Sequence, residues 1–237
     1  MPNRFHLSLL IVSVAAALAG CAGKPTAIFG VDDPAAPAIS VDGTTQHRIV
    51  IATNRERAED PRILFNGERN SALNFAVADV SVPPTHTKGR IERPDILPPD
   101  PGQHFVIHDA AYLESPSAFV RTTEQELRRR APSDRDVLIF VHGYNMDVSA
   151  AVLQLTQFVH DTGFKGVPVL FTWPSRGKLG DYVYDLNSAL GSRDDLEEMG
   201  ALLQRTNIRK ADIVAHSMGN ILTVETMRQL AMRGQFN

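Results

Sequence analysis

The stretch Asp212-Ile213-Val214-Ala215-His216-Ser217-Met218-Gly219-Asn220-Ile221-Leu222 decides how this chain is read. Asp212 to Ala215 reads as a short β-strand and Met218 to Met232 as a helix, which puts Ser217 at the turn between them. The small residues Ala215 and Gly219 on either side let strand and helix backbones pass close together. A serine in that position exposes its hydroxyl at the carboxyl end of a sheet, and the first amides of the following helix point at any oxyanion that develops there. Serine is also an ordinary helix N-cap, so the surrounding sequence has to separate a nucleophile from a cap.

Upstream, strand and helix patterns alternate. Ser115 and Pro116 open a helix that runs to about Arg130. Val137 to Val141 is an uninterrupted apolar run of strand length, as expected of a strand buried on both faces. Val148, Ala151, Val152, Leu155, Phe158 and Val159 recur at helical spacing and stop before Gly163. Val167 to Thr172 reads as the next strand and Leu186 to Leu203 as one helix. This order predicts an α/β fold, a mostly parallel sheet with helices on both faces. Earlier, Ile49 to Ile51, the stretch Phe75 to Val82 and Phe105 to Ile107 read as strands, while proline-rich Thr85 to Gly102 reads as a loop.

These features resemble the α/β-hydrolase superfamily, and more closely a bacterial esterase/lipase-like family of undefined function within it, from about Arg48 onward. The residues that carry the resemblance are Ile51-Ala52-Thr53-Asn54-Arg55, the loop around Gly89, His142-Gly143-Tyr144-Asn145 after a buried strand, and Phe171-Thr172-Trp173-Pro174-Ser175. Tyr182, Tyr184, Asp185, Ser188, Ser192, Arg193 and the elbow ending in Gly219-Asn220 complete it. Ala215 stands where the superfamily's G-x-S-x-G elbow has its first glycine.

The resemblance implies Ser217 as nucleophile, with the backbone amides of Tyr144 and Met218 as oxyanion donors. Gly143 permits the sharp turn of the oxyanion loop, and His142 is expected to hold that loop by hydrogen bonds rather than act as a base. His216 adjoins the nucleophile, where adjacent side chains point apart, and is a poor candidate for the base. Trp173 is expected to pack a strand end, Asp185 to cap the helix starting at Leu186, and Arg193 to pair with Glu197 one turn on.

A serine hydroxyl needs a base and an orienting carboxylate, which in this superfamily follow in the order serine, acid, histidine. Only twenty residues follow Ser217; they include Glu225 and no histidine. The acid and histidine are therefore expected beyond residue 237, and the chain reads as the front portion of a longer enzyme. Such a portion would leave its last strand as a sheet edge and an apolar helix face uncovered.

The N-terminus reads as a targeting segment. Arg4 precedes an apolar run from Leu7 to Leu18, too short for the roughly 20 residues that span a bilayer. Leu18-Ala19-Gly20-Cys21 resembles the lipobox of bacterial lipoproteins, which implies lipidation of Cys21, the sole cysteine; the alternative is an ordinary signal peptide. By resemblance to enterobacterial lipoproteins, Ala22 rather than an aspartate after the cysteine implies the outer membrane, facing the periplasm. Residues 1–21 thus form the signal peptide, 22–46 a flexible Ala/Pro/Gly-rich tether and 47–237 the hydrolase domain.

With hydrophobic residues at 43%, charged residues at 22% and a formal net charge of -3, the composition is globular and exerts no pull toward nucleic acid. Arg128, Arg129 and Arg130 read as a solvated helix end complementing the dipole. The expected function is serine hydrolysis of a small-molecule ester, thioester or similar acyl substrate, without metal or organic cofactor. Two further readings stay open: acyl transfer to an acceptor other than water, and a non-catalytic envelope lipoprotein with a hydrolase-like binding surface.

Overall fold

A computed structural model describes residues 41–60 and 62–234. The segment expected as a signal peptide, Cys21, and the expected tether up to residue 40 lie outside the described residues. The chain builds six strands: β1 (Thr45–Arg57), β2 (Phe65–Val82), β3 (Val106–Leu113), β4 (Asp136–Val141), β5 (Val167–Thr172) and β6 (Lys210–Ala215). The helices are α1 (Pro116–Arg128), α2 (Val148–Thr162), α3 (Tyr182–Gly191), α4 (Arg193–Leu203) and α5 (Met218–Met232).

The strands form one sheet in the order β3-β2-β1-β5-β4-β6. β1, β5, β4 and β6 run parallel, with Ile51 opposite Leu170, Phe140 opposite Leu170 and Phe140 opposite Val214. β2 and β3 add an antiparallel flank beside β1. The parallel strands alternate which side chains face each layer. Ile49, Ile51, Leu138, Phe140 and Leu170 pack with α2 on one face. Val50, Ala52, Val137, Ile139, Val169 and Phe171 pack with α1 and α3 to α5 on the other. Chain direction explains the division. From β4 the path moves one way to β5 and then back across β4 to β6, and right-handed crossovers in opposite directions fall on opposite faces. All four parallel strands therefore end at the same edge, where the order of connection reverses.

Local chemistry sets the helix ends. The Ser115 hydroxyl caps α1 by accepting from the Ala118 N–H at 3.1 Å, with Pro116 in the first turn. Asp147 caps α2 by accepting from the Ala150 N–H at 2.7 Å, and Gly163 ends it in the left-handed region at φ 67°.

The segment expected as one helix from Leu186 to Leu203 is two. Helix α3 begins earlier, at Tyr182, and the break falls at Ser192. The buried Ser192 hydroxyl bonds back to the Ser188 carbonyl at 2.7 Å and receives the Asn54 amide at 2.9 Å, which redirects the chain. Asp185 therefore lies inside α3 and does not cap a helix. Glu197 pairs with Arg233 at 2.9 Å, not with Arg193, because α5 packs alongside α4.

Among the described residues β6 pairs only with β4. Ile213 is 40% exposed there, and Ile221 and Val224 on α5 are 41% and 60% exposed. No described helix is long and apolar enough to cross a membrane.

Candidate active site at the carboxyl edge of the sheet

Ser217 sits between β6 and α5 with φ 51° and ψ -121°. A non-glycine residue held there is strained, and the geometry is that of a sharp strand-to-helix turn with the side chain outward. The turn is held by His216 N–H donating to the Val141 carbonyl at 3.0 Å and by Gly219 N–H donating to the His216 carbonyl at 2.9 Å. A Cβ on Gly219 would meet the carbonyl oxygens of His142 and Val141 at 2.4 and 2.6 Å, so the start of α5 approaches the end of β4 more closely than any side chain permits. Ala215, the last residue of β6, lies opposite Val141.

The loop after β4 passes directly over this turn. A Cβ on Gly143 would lie 3.0 Å from the Ser217 Cβ. Among the described residues neither the Tyr144 N–H nor the Met218 N–H donates to a protein partner. The loop places the first beside Gly143, and the second belongs to the opening residue of α5.

His142 is fully buried and stacked on Trp173, ring centroids 4.7 Å apart. Its Nδ1 lies 2.8 Å from the Gly143 carbonyl, and its Nε2 lies 3.0 Å from the Thr172 hydroxyl and 3.1 Å from the Trp173 carbonyl. Burial, reinforced by the neighbouring Arg55 charge, depresses its pKa to about 3, so the ring is neutral at physiological pH. A proton on Nδ1, assigned from these contacts, donates to Gly143 and leaves Nε2 to accept from Thr172. Trp173 is buried at the end of β5 and returns a bond from its indole N–H to the His142 carbonyl at 2.9 Å.

Two buried charges brace the same region, and their roles lie beyond what the sequence motifs indicate. Arg55, 1% exposed on β1 just past the stretch that pairs with β5, donates to the Thr172 hydroxyl (2.9 Å) and to the carbonyls of Ser175 (2.7 Å), Met146 (2.9 Å) and Asn66 (3.2 Å). Burial lowers its pKa to about 10, and the charges of Asp147 and Asp185 oppose that shift, so it stays a cation at neutral pH. Asp185, fully buried, accepts from the Ser175 hydroxyl (2.5 Å) and from the backbone N–H groups of Asn145 and Arg176 (3.1 Å each). The only signal for either residue in the sequence is its place in a motif, because a buried charge has no periodicity.

A second layer of charge surrounds this one. The Tyr184 ring lies between the guanidinium groups of Arg69 (4.4 Å) and Arg176 (3.7 Å), and Arg176 is paired with Glu68 at 2.9 Å. These contacts tie the extended tip of the β1-β2 hairpin to α3.

Glu225 is paired with Arg228 on its own helix at 2.8 Å. Among the described residues no histidine or carboxylate is hydrogen-bonded to Ser217, and no group of three or more metal-binding side chains is arranged to hold an ion. An apolar cavity of about 490 Å³ lies between α4, α5 and the sheet, lined by Ile139, Leu196, Met199, Ile213, Thr226 and Met227. Its lining includes none of the residues grouped around Ser217 and the loop after β4.

Residues 119–237, half of the chain, match the family described as "Alpha/beta hydrolase of unknown function (DUF900)". No curated protein and no solved structure matches. With a mostly parallel sheet and a strained serine turn at its carboxyl edge, the chain belongs to this family of α/β hydrolases.

Proposed function

We propose that the protein is a serine hydrolase that cleaves an ester, thioester or similar acyl substrate through an acyl-enzyme on Ser217. The observation that carries the reading is the backbone of Ser217 itself. Holding a serine at positive φ costs on the order of 1–3 kcal/mol, and a plain N-cap adopts an unstrained extended conformation instead. The strain turns the hydroxyl out of the helix and beside the loop that contains Gly143. The tetrahedral oxyanion would be held by the N–H groups of Tyr144 and Met218. An orienting acid and a histidine base would come from residues beyond 237. Lipidation at Cys21 would hold the enzyme at the cell envelope, on the periplasmic face of the outer membrane.

The test uses the protein expressed from its complete reading frame. A fluorophosphonate probe should label Ser217, and Ser217→Ala should abolish both label and ester hydrolysis with folding intact. No label on the parent, or an equal label on Ser217→Ala, would remove the nucleophile assignment and favour a binding protein.

A further inference from the structure

The loop between β4 and α2 is pinned on both sides of Tyr144. Before it, the Gly143 carbonyl is held by His142 at 2.8 Å. After it, the Asn145 N–H reaches Asp185, the Met146 N–H reaches the Ser175 hydroxyl at 3.0 Å, and the Met146 carbonyl accepts from Arg55. Ser175 joins these anchors, since its hydroxyl donates to Asp185 and its carbonyl accepts from Arg55. Asn145 is meanwhile held in the left-handed region at φ 60°. That conformation is sparsely populated, and the bond from its N–H to a buried carboxylate opposes relaxation. Were Asn145 to relax, the two peptide units flanking it would re-aim, and with Met146 pinned on the far side the change would pass back into Tyr144, the residue that presents the oxyanion N–H.

We infer that Asp185 and Arg55 are positioning residues, a buried anion and cation that act through Ser175 to aim the Tyr144 amide at the reacting carbonyl. This inference rests on the assignment of Ser217 and the oxyanion amides above. The carboxylate is required as such. Three donors converge on its two oxygens, and an asparagine offers one acceptor oxygen and turns an NH₂ group toward N–H or O–H donors. Ser175 works in the same chain, accepting from Met146 while donating to Asp185.

The experiment compares the parent with Asp185→Asn on a short-chain aryl ester and its thiono analogue, in the protein from the complete reading frame. Thermal unfolding serves as the check on folding. Sulfur accepts hydrogen bonds weakly, so oxyanion donors assist the thionoester less. Asp185→Asn should lower kcat on the ester by roughly 10- to 100-fold, within the range set by loss of one oxyanion donor, with KM nearly unchanged. The thionoester should lose less, so the ester-to-thionoester rate ratio should fall. Equal losses on both substrates would mean a merely structural role and overturn the inference, as would an unchanged ester kcat. Should Asp185→Asn fail to fold, Ser175→Ala replaces it and is read by the same ratio. Absence of fluorophosphonate label on the parent Ser217 would instead overturn the underlying hydrolase reading, and the inference with it.

Discussion

The backbone of Gly143 packs so closely on Ser217 that a Cβ at position 143 would stand 3.0 Å from the Ser217 Cβ and 2.7 Å from Nδ1 of His216. Loop and elbow are thus in contact with no side chain between them. Gly143→Ala has to separate them by a few tenths of an ångström, a small change for the fold and a large one for a reacting geometry. The rate of Ser217 labelling by a fluorophosphonate should fall at least about tenfold while stability falls by about 1 kcal/mol. Unchanged labelling would show that the loop does not bear on the serine.

Gly219 is constrained differently. Its missing Cβ would overlap two backbone carbonyl oxygens, of His142 and Val141, and backbone cannot rotate away as an exposed imidazole can. Gly219→Ala should therefore cost about 3 kcal/mol, read as a shift in denaturant midpoint. A loss below about 1 kcal/mol would mean that α5 tolerates sliding off β4.

The strain at Ser217 is separable from its chemistry. Ser217→Ala and Ser217→Gly both remove the hydroxyl, but only glycine adopts φ 51°, ψ -121° freely. Ser217→Gly should be the more stable of the two by about 1 kcal/mol, strain relief outweighing the entropy of a freer unfolded chain. Equal stabilities by equilibrium unfolding would mean that the turn stores no strain.

A pH dependence is expected at the opposite end of the molecule. His86, in the loop after β2, donates from Nδ1 to Glu92 at 2.8 Å and from Nε2 to Asp161 at 2.9 Å, and Asp161 also accepts from the Gly89 N–H at 2.7 Å. Burial lowers the His86 pKa, but its hydrogen bonds to Glu92 and Asp161 outweigh it and the net shift is upward. A raised pKa in the folded state contributes stability that is complete below the ordinary value of 6.5 and lost as pH rises through the folded value. Burial works against the carboxylates, yet the His86 bonds bring Glu92 below its usual value and Asp161 to about 2. Their contribution is present above the ordinary carboxylate range and lost on acidification. His160 and His47 adjoin the clasp, and burial lowers both, His47 to about 4, so His47 is neutral across the window. The melting temperature should therefore drop between pH 6 and pH 8, and His86→Gln should flatten that slope. An equal slope in the variant would assign it elsewhere.

Arg55→Lys keeps the charge and loses the fork. The guanidinium reaches three carbonyls on three different segments, and an ammonium on a thinner stem cannot span them, leaving buried acceptors unpaired. A loss of about 2 kcal/mol in unfolding free energy is expected, and a loss within about 0.5 kcal/mol would mean that water or backbone movement replaces the fork.

Much of the fold was legible along the chain. Strand β5 and helix α5 begin and end where the apolar run Val167 to Thr172 and the stretch after Ser217 predict. The caps of α1 and the end of α2 follow from Ser115, Pro116 and Gly163. These features depend on residues within a turn or two of one another, so short-range sequence carries them. The break at Ser192 was hidden, because both halves share one helical pattern and the partner that redirects the chain is Asn54, 138 residues away.

By itself the sequence determined an alternating strand and helix order and a serine between small residues at a turn. Only the tertiary structure decided what braces that turn. Arg55 meets Ser175 across 120 residues and Met146 across 91, and Asp185 meets Asn145 across 40. Those meetings exist because β1, β4 and β5 are neighbours whose carboxyl ends share one edge. Strand order is set by the packing of the whole sheet between its helix layers, a long-range free energy with no counterpart in local propensity.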